Sequence, residues 1–341
     1  MSLPPVEVPQ GAIRFNTDSQ KLEFYAQDEW WIMVSENVGL GTGGDTGAGA
    51  RGLIPNINTT TKIDYLNIAS TGNAQTFGDL TTIRNQGAGY SSSTRGVFMG
   101  GGSAPTPNLS SMDQVTISST GTATNFGTMI AGKKEFTALS NATRGLHMGG
   151  ATTSPAGIDI GYHTISSGGT GVFFGSLTVA VEDDYSCASP TRGIRAGGTI
   201  SSARSNVIEF ITISTLGNGT DFGDLTVARY ASAGLSNATR GIFGGGFGPS
   251  GAVINTIDFI TIATLGNSIK FGELTQPRYV VGGMASPIRG VFAGGGTTPA
   301  VNTIDYITIA TQGNAVDFGD LTAVTPGLTG SGPVSNAHGG L

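Results

Sequence analysis

Alternating apolar and polar residues recur along most of the chain, in runs such as NTIDYITIAT at 302–311. β-Branched residues occupy nearly every step of these runs, as expected for half-buried strands. Each run follows a short apolar segment ending in glycines, such as RGVFAGGG at 289–296, and precedes a turn, a Phe-Gly step and a stretch of small residues. One unit therefore predicts four short strands, and small residues suit the strand in the most crowded position.

The units repeat with a fixed period. Successive Arg-Gly pairs are 44, 49, 48, 48 and 49 residues apart, and the C-terminal SNAHGGL matches the earlier SNATRGL with Gly339 in the arginine's place. Two other markers keep the same phase, the Phe-Gly step and the Ile that ends each alternating run. The three sets are Arg51, Arg95, Arg144, Arg192, Arg240 and Arg289; Phe77, Phe126, Phe174, Phe222, Phe271 and Phe318; Ile68, Ile117, Ile165, Ile213, Ile262 and Ile309. A period of about 40–50 residues with several short strands is typical of a β-propeller blade, so an all-β, six-bladed propeller is predicted over residues 51–341.

The phase of the repeat also predicts how the ring closes. The first unit begins at Arg51 with only the Gly-rich GLGTGGDTGAGA before it, whereas the last unit ends in a spare strand, PVSNAHGGL. We expect this C-terminal strand to complete the first blade beside residues 51–57. Such pairing removes two exposed sheet edges at once.

The order of residues within a unit resembles kelch repeats. A strand ending in glycines precedes an acidic and an aromatic residue, such as Asp258 and Phe259, and a large aromatic follows near the outer strand, with Phe where kelch repeats usually carry Trp. The resemblance covers residues 51–341 and implies a kelch-like propeller, a group that includes scaffolds, lectin-like binders and oxidases. The third unit departs from the pattern, with Gly161 in the acidic position and Val181 in a position that is elsewhere arginine (Arg84, Arg229, Arg278). Six equivalent sites are therefore not expected.

Composition narrows the functional classes. Glycine contributes 56 of 341 residues and charged residues only 12%, which favours short strands and turns over helices. The net charge of −6 and the absence of a Lys/Arg-rich run disfavour nucleic acid and anionic membranes as partners. No apolar stretch suggests membrane insertion, and no signal peptide is recognised at the start. Cys187 is the single cysteine, which rules out an intrachain disulfide and a CxxC metal site.

Residues 11–34, GAIRFNTDSQKLEFYAQDEWWIMV, stand outside the period. Two alternating runs flank the turn residues NTDSQ and predict a small β-hairpin, with a further strand at Trp30–Val34. We therefore expect an N-terminal β-module over residues 1–36, a Gly-rich linker over 37–50 and the propeller from 51. A hairpin this small needs a packing partner.

The N-terminal segment resembles the GAIRFNTDTxKLEFYxxxxW element of tail-fibre and other structural proteins of tailed bacteriophages. The repeats resemble long repetitive proteins of marine phages, cyanophages among them. These resemblances imply a virion protein made in the host cytoplasm. Its partners would be other virion proteins, bound through the N-terminal module, and a host-surface glycan or protein, and a homo-oligomer is one possible assembly. Adjacent tryptophans in a strand face opposite sides, and large aromatics often anchor interfaces, so the docking candidates are Phe15, Phe24, Trp30 and Trp31.

The residue types give little support for catalysis or a cofactor. The repeated arginines either bind anions such as acidic glycans or tie neighbouring blades together, and the second interpretation is simpler for a residue kept in every blade. One carboxylate per blade does not form a calcium site. The three histidines and Cys187 are scattered, so no nucleophile, metal or cofactor is expected. The NAT sequons at Asn141 and Asn237 occupy equivalent repeat positions and are interpreted as repeat consensus.

Three functions follow as hypotheses. The first is a non-enzymatic virion appendage, a tail or neck fibre or a capsid decoration, whose propeller binds a protein or host surface. The second is a free lectin-like propeller, with variable loops at 103–109, 152–161 and 247–254 forming unequal glycan pockets. The third is a glycan-active enzyme, for which the sequence offers no acid and base pair at an interpretable spacing.

Overall fold

The computed structural model describes residues 12–16, 21–26, 29–32, 50–55, 60–102, 108–151, 157–279, 281–297, 300–323 and 332–341. The chain forms two compact units, Met1–Gly39 and Leu40–Leu341. Apart from Ala50, the predicted linker at 37–50 lies outside the described residues.

The N-terminal unit is a three-stranded antiparallel sheet with the order β1-β2-β3. Its strands are β1 (Ile13–Asn16), β2 (Lys21–Ala26) and β3 (Glu29–Ile32). The predicted hairpin is present. The third strand starts one residue earlier than expected, and Val34 falls outside the described residues.

The second unit is a six-bladed β-propeller, which confirms the fold predicted from the repeat. Each blade is an antiparallel sheet whose four main strands are named here inner, second, third and outer, counted from the ring axis. In the first blade these are β30 (Val334–Ser335), β4 (Arg51–Pro55), β5 (Lys62–Asn67) and β6 (Gln75–Asp79). In the second they are β7 (Ala88–Ser91), β8 (Arg95–Met99), β9 (Ser111–Thr116) and β10 (Thr124–Thr128). In the third they are β11 (Thr137–Ser140), β12 (Arg144–Met148), β13 (Asp159–Thr164) and β15 (Val172–Ser176).

The remaining blades follow the same order. The fourth has β16 (Tyr185–Ala188), β17 (Arg192–Ala196), β20 (Val207–Thr212) and β21 (Thr220–Asp224). The fifth has β22 (Ala233–Ser236), β23 (Arg240–Gly244), β24 (Thr256–Thr261) and β25 (Ile269–Glu273). The sixth has β26 (Gly282–Ala285), β27 (Arg289–Ala293), β28 (Thr303–Thr308) and β29 (Val316–Asp320). Three short additions are β14 (Gly169–Thr170), the hairpin β18 (Thr199–Ile200) and β19 (Ala203–Arg204), and a 3-10 turn at Pro249–Gly251.

The ring closes as the repeat phase predicts. Val334 pairs with Leu53 and Ser335 pairs with Gly52, so the C-terminal strand is the inner strand of the first blade. The Asn336 side-chain oxygen accepts the Arg51 backbone N–H at 2.7 Å. The inner strands contact one another in a complete circle, with β30 against both β26 and β7. Strand pairing and hydrogen bonds therefore join the first and last strands of the propeller.

Alternating strand directions create two different faces. The turns between inner and second strands and those between third and outer strands form one face, named here the turn face. The loops between second and third strands and the links into the next blade form the other, named the loop face. The turns that form the turn face are described, whereas the loops of the loop face include residues outside the described ranges, such as 103–107 and 152–156.

Glycine allows the blades to approach one another closely. A Cβ added to Gly145 of the Arg-Gly pair would lie 2.2 Å from the Tyr90 ring, and one on Gly290 would lie 2.6 Å from the Leu235 side chain. In each case the neighbour belongs to the inner strand of the preceding blade. The apolar core consequently lies between blades, where Phe98, Phe243 and Phe292 are almost fully buried. No helix in the described parts of the chain is long and apolar enough to cross a membrane.

A second close approach involves the Phe-Gly step of one blade and the third-to-outer turn of the next. The Gly121 N–H donates to the Phe77 carbonyl at 3.0 Å, and a Cβ on Gly78 would lie 2.0 Å from the Gly121 carbonyl oxygen. Backbone atoms on both sides leave little room for adjustment.

We predict that Gly78→Ala lowers the free energy of unfolding by about 1–3 kcal/mol, because a methyl group is forced against the next blade's backbone. Gly121→Ala is the matched control: its Cβ meets nothing within 4 Å, so its effect should stay within about 0.5 kcal/mol. Chemical denaturation of the two full-length variants measures both values. Equal destabilisation would contradict the role given to this contact.

Candidate functional site

The six repeated arginines each reach into the following blade. Their Nη1 atoms donate to the main-chain carbonyls at the end of that blade's third strand, as when Arg240 bonds the Ile309 and Ala310 carbonyls at 2.9 Å each. Arg289 closes the circle on the Ile68 and Ala69 carbonyls of the first blade, at 3.3 and 2.8 Å. The other contacts run from Arg51 to Ile117, Arg95 to Ile165 and Ser166, Arg144 to Ile213 and Ser214, and Arg192 to Ile262 and Ala263. Every blade is thus bonded to its neighbour by a guanidinium group.

Aromatic rings position these guanidinium groups. Arg240 lies 5.0 Å from the centre of the Phe259 ring, and Phe259 in turn meets Phe271 of the Phe-Gly step edge to face at 5.9 Å. The same Arg, aromatic and Phe sequence occurs in all blades except the second, where Gln114 takes the middle place and Arg95 lies over Phe126 at 5.8 Å. The repeated Phe residues Phe77, Phe126, Phe174, Phe222, Phe271 and Phe318 are all buried. These Phe side chains therefore pack inside the ring.

A second arginine set, in the links between blades, pairs with the repeated carboxylates. Arg84 meets Asp113 at 3.1 Å, Arg229 meets Asp258 at 3.0 Å, and Arg278 pairs with Asp305. All six side chains are buried. In each pair the arginine comes from the link that enters the blade and the carboxylate from the third strand of that blade. The carboxylates lie in separate blades, and no group of three metal-ligating side chains occurs within the described parts of the chain.

The first blade keeps the carboxylate without such an arginine partner among the described residues. Asp64 accepts the backbone N–H and hydroxyl of Thr322 at 3.2 and 2.7 Å, while its Oδ1 finds no partner in that part of the chain. Burial raises the pKa of this carboxyl group. Asp64 is the least well compensated of the repeated carboxylates.

The fourth blade exchanges the positions of its charged partners. Val181 occupies the arginine position, and Arg195 from the second strand bonds the carboxylate of Glu209 at 2.6 Å instead. Arg195 Nη1 also donates to the Gly197 and Val207 carbonyls, whose equivalents in the second blade accept from Arg84. Val181 and Gly161 looked degenerate in sequence. For Val181, the structure shows a rearranged ion pair.

In the third blade Gly161 takes the place of the carboxylate, and a lysine takes the place of the arginine. Lys133 replaces the arginine and donates to the Gly149 and Asp159 carbonyls at 3.2 Å each. His147 fills the space above Gly161, where an added Cβ would lie 2.5 Å from its ring. Burial holds the pKa of His147 well below its ordinary value, with Lys133 and His163 adding to the shift. The third blade therefore fills this buried position with Lys133 and His147 in place of an ion pair.

The other candidates for chemistry are also packed in the ring. His163 is buried, and its Nε2 contacts the Thr128 carbonyl at 3.0 Å. Cys187 packs where a Cβ on Gly241 would be 2.7 Å from its sulfur, and burial raises the pKa of its thiol. Asn141 and Asn237, the two sequon residues, accept backbone N–H groups of Arg144 and Arg240 at 2.8 Å.

The C-terminal residues lie at the turn-face end of the ring axis. Gly340 N–H donates to His338 Nδ1 at 3.1 Å, so the ring proton is on Nε2, which meets the Ser91 carbonyl at 3.0 Å. Hydroxyl groups of the inner strands bond the carbonyls of adjacent blades around the axis, as Ser140 does with Ser91 at 2.7 Å. A cavity of about 70 Å³ remains between them. It has room for only a few water molecules.

One part of the loop face departs from the repeat by stacking aromatic rings. Tyr230, Phe247 and Tyr279 form a row with ring centres 5.1 and 4.2 Å apart, and exposed Arg204 lies over Tyr230 at 5.6 Å. The equivalent bridges are Asn85 with Gly102, Lys134 with Ala151, Glu182 with Thr199 and Tyr279 with Gly296, so among these bridges the fifth blade alone pairs two aromatic rings. The three rings are only half-buried. This aromatic row fixes the loops of the fourth and fifth blades.

The N-terminal sheet separates the docking candidates. Trp30 stacks on Arg14 at 4.0 Å and on Tyr25 at 5.3 Å, and Arg14 pairs with Glu23 at 2.8 Å. Strand register places the positions of Phe15, Phe24 and Trp31 on the opposite side of the sheet, together with exposed Ile13. The side chains of Phe15, Phe24 and Trp31 lie outside the described part of the chain.

Carboxylates gather on the loop face around the links into the third and fourth blades. The Asp183 N–H donates to the Glu135 carbonyl at 2.8 Å, and Lys134 pairs with the Glu135 carboxylate at 3.0 Å. Burial, followed by the charges of Glu135 and Glu182, raises the pKa of Asp183 to about 7. Burial and a hydrogen bond with Glu135 raise the pKa of Glu182.

The raised pKa of Asp183 makes the stability of the fold depend on pH. Asp183 is protonated in the folded state over a range where it is ionised in the unfolded chain, so its contribution to stability is full below about pH 4 and is lost as pH rises through about 7. Asp183→Asn stays neutral and should therefore gain about 2–4 kcal/mol relative to the parent between pH 4 and 8. Denaturation at a series of pH values measures this gain. Exposed Asp317→Asn is the control, and a pH-independent difference for Asp183→Asn would contradict the assignment.

The exchanged ion pair of the fourth blade predicts a rescue. Arg195→Phe should destabilise the protein by about 3–5 kcal/mol, because Glu209 is left buried without a cation. Adding Val181→Arg and Glu209→Asp recreates the pairing of the second and fifth blades and should restore most of that loss. Denaturant midpoints of the single and triple variants test this, and two variants of equal instability would show that the arrangements are not interchangeable.

Comparison with known proteins adds no assignment: no protein-family model matches the chain, and no curated protein matches its sequence.

Proposed function

We propose that the chain is a non-enzymatic binding protein of a virus particle, with the N-terminal sheet as its attachment module and the propeller as its display domain. The observation that carries the binding role is that the repeated arginines, carboxylates, Phe residues and serines of the ring bond or pack one blade against another. A ring held this way is a rigid support for loops. A β-propeller is a fold consistent with binding.

Support for a non-enzymatic role comes from where the titratable groups lie. Histidines His147 and His163 are buried in the core, and the repeated carboxylates are paired or hydrogen-bonded between blades. Catalytic groups need access to a substrate in a pocket. His147, His163 and the paired carboxylates do not have it.

Support for the virion setting is the resemblance of the N-terminal segment to phage structural proteins, together with the sheet itself. Its three short strands place Ile13, Phe15, Phe24 and Trp31 at positions on one side, and Ile13 is 62% exposed. A sheet of this size is marginal without a partner. We propose that this side contacts another virion protein, which would be a tail, neck or capsid component.

A free lectin-like propeller is the alternative. The aromatic row on the loop face is a candidate binding surface under either function. Its ring faces are taken by one another and by Arg204, so edges and hydroxyl groups are what a ligand would meet. That arrangement suits a polypeptide surface better than the flat stacking of a sugar ring, because interface hot spots are rich in Tyr and Arg.

The attachment role predicts that full-length protein carrying Phe24→Ser and Trp31→Ser folds its propeller but is lost from particles. Expected incorporation is at least about tenfold lower than for the parent, since an interface anchor is removed. Quantitative immunoblotting of purified particles measures it. The control is Gly121→Ala, a surface change in the propeller. Incorporation at the parent level would overturn the division of labour, and soluble, unattached lectin activity would support the alternative.

A further inference from the structure

We propose that the turn face of the propeller binds an acidic polysaccharide, a sugar chain that carries carboxylate or sulfate groups, through its ring of six guanidinium groups. This inference rests on the proposed binding function and names its ligand class and surface. It concerns the face opposite the aromatic row.

The first ground is uncompensated charge. The six arginines bond main-chain carbonyls and take part in none of the ion pairs found in the described parts of the chain. The turns of this face carry no Asp or Glu side chain: 92–94, 141–143, 189–191, 237–239 and 286–288 between inner and second strands, and 68–74, 117–123, 165–171, 213–219, 262–268 and 309–315 between third and outer strands. The C-terminal residues 336–341 add none. Six guanidinium groups therefore share one face whose described turns are free of acidic side chains. Exposed Asp221 and Asp317 stand one residue into the outer strands that follow two of these turns.

The difference in charge between the two faces is large for a propeller that is close to neutral. Residues 51–341 contain 16 acidic and 15 basic residues, and six of the 15 lie on the turn face. The outer strands end in acidic residues at the opposite side, as Asp79, Asp224, Glu273 and Asp320 show. A surface with one sign of charge concentrates ligands of the other sign.

The second ground is that part of each guanidinium is free. Only Nη1 of each repeated arginine is engaged with described residues, and the side chains are half-buried, not closed off. Their Nε and Nη2 atoms are absent from the buried groups that lack a partner in the described parts of the chain, a set that does include Arg195 Nε and Arg278 Nε. Free N–H groups held on an aromatic ring are preorganised donors for carboxylate or sulfate oxygens.

The third ground is the composition between the arginines. The turns are rich in Ser, Thr, Asn and Gly, whose hydroxyl and amide groups match sugar hydroxyls. Among them stand apolar side chains in contact with water, Leu216, Leu265 and Ile288, which are 60, 59 and 55% exposed. Sugar-binding surfaces need both kinds of group, a few polar contacts and apolar surface for the C–H faces of the ring.

Charge density separates a polysaccharide from nucleic acid. A duplex presents a charge about every 1.7 Å along its axis and is bound by clustered Lys and Arg. Here one arginine stands per blade, with uncharged turns between successive arginines. Separate single charges of this kind do not match the dense charge of a duplex, and they leave room for the uncharged groups of a sugar chain.

The test uses the full-length protein with dextran sulfate and polygalacturonate as probes, neutral dextran as the uncharged control and duplex DNA as the competing polyanion. Binding is followed by biolayer interferometry between 50 and 300 mM NaCl. We expect binding to one or both acidic chains that weakens steeply with salt, no binding to dextran and weaker binding to DNA.

Variants locate the site without touching the arginines. Leu216→Glu with Leu265→Glu places two carboxylates in the turns that Arg144 and Arg192 contact, and should weaken acidic-chain binding at least about tenfold through charge neutralisation. Ile130→Glu with Ile158→Glu makes the same change on the loop face, where these residues are 48 and 41% exposed, and should change binding less than about twofold. Thermal unfolding checks that both variants fold.

Equal weakening by both variants, binding independent of salt, or no preference for acidic over neutral chains would overturn the proposal. Tighter binding of DNA would assign the face to nucleic acid instead. Failure here is distinguishable from failure of the proposed function, because particle incorporation depends on the N-terminal sheet and is measured with Phe24→Ser and Trp31→Ser.

Discussion

The close approach of one blade to the next at the Arg-Gly pair is the contact on which the ring depends. The glycine leaves room for an inner-strand side chain of the preceding blade, as Tyr90 over Gly145 shows. The arginine beside it spans to the carbonyls of the following blade. Two adjacent residues therefore hold three blades together, and their repetition six times produces a closed ring.

The buried cation and the buried carboxylate of a blade can be supplied by different residues. In the fourth blade the buried cation moves from the link to the second strand, and the acid lengthens from Asp to Glu, yet the same carbonyl positions still receive a guanidinium. In the third blade the acid is absent, and Lys133 alone supplies those bonds. A buried carboxylate without a cation is costly, and in these two blades the acid and the cation change together. The first blade instead keeps Asp64 with hydrogen bonds from Thr322.

Sequence was sufficient for the architecture because each blade has the same local pattern and the phase of that pattern fixes the closing strand. It also suggested the interblade role of Arg51 and its equivalents, since a residue needed by every blade recurs with the period. It did not reveal that Arg195 replaces the missing arginine at Val181, because the two residues lie on different elements. Nor did it show the aromatic row of Tyr230, Phe247 and Tyr279, whose members come from three separated segments. These contacts join residues on separate elements at positions where the units differ, and the periodicity of a single sequence reports only what the units share.

The construction of the ring also explains why its two faces differ. A carboxylate near a repeated arginine would compete with the carbonyls of the next blade for the guanidinium, and would weaken the link that closes the ring. Acidic residues are consequently tolerated at the other ends of the strands and not in these turns. The positive turn face is thus first a consequence of how the blades are joined, and only then a surface that an anionic ligand can use. The loop face carries no such constraint, and there the units diverge in sequence, in loop length and in charge.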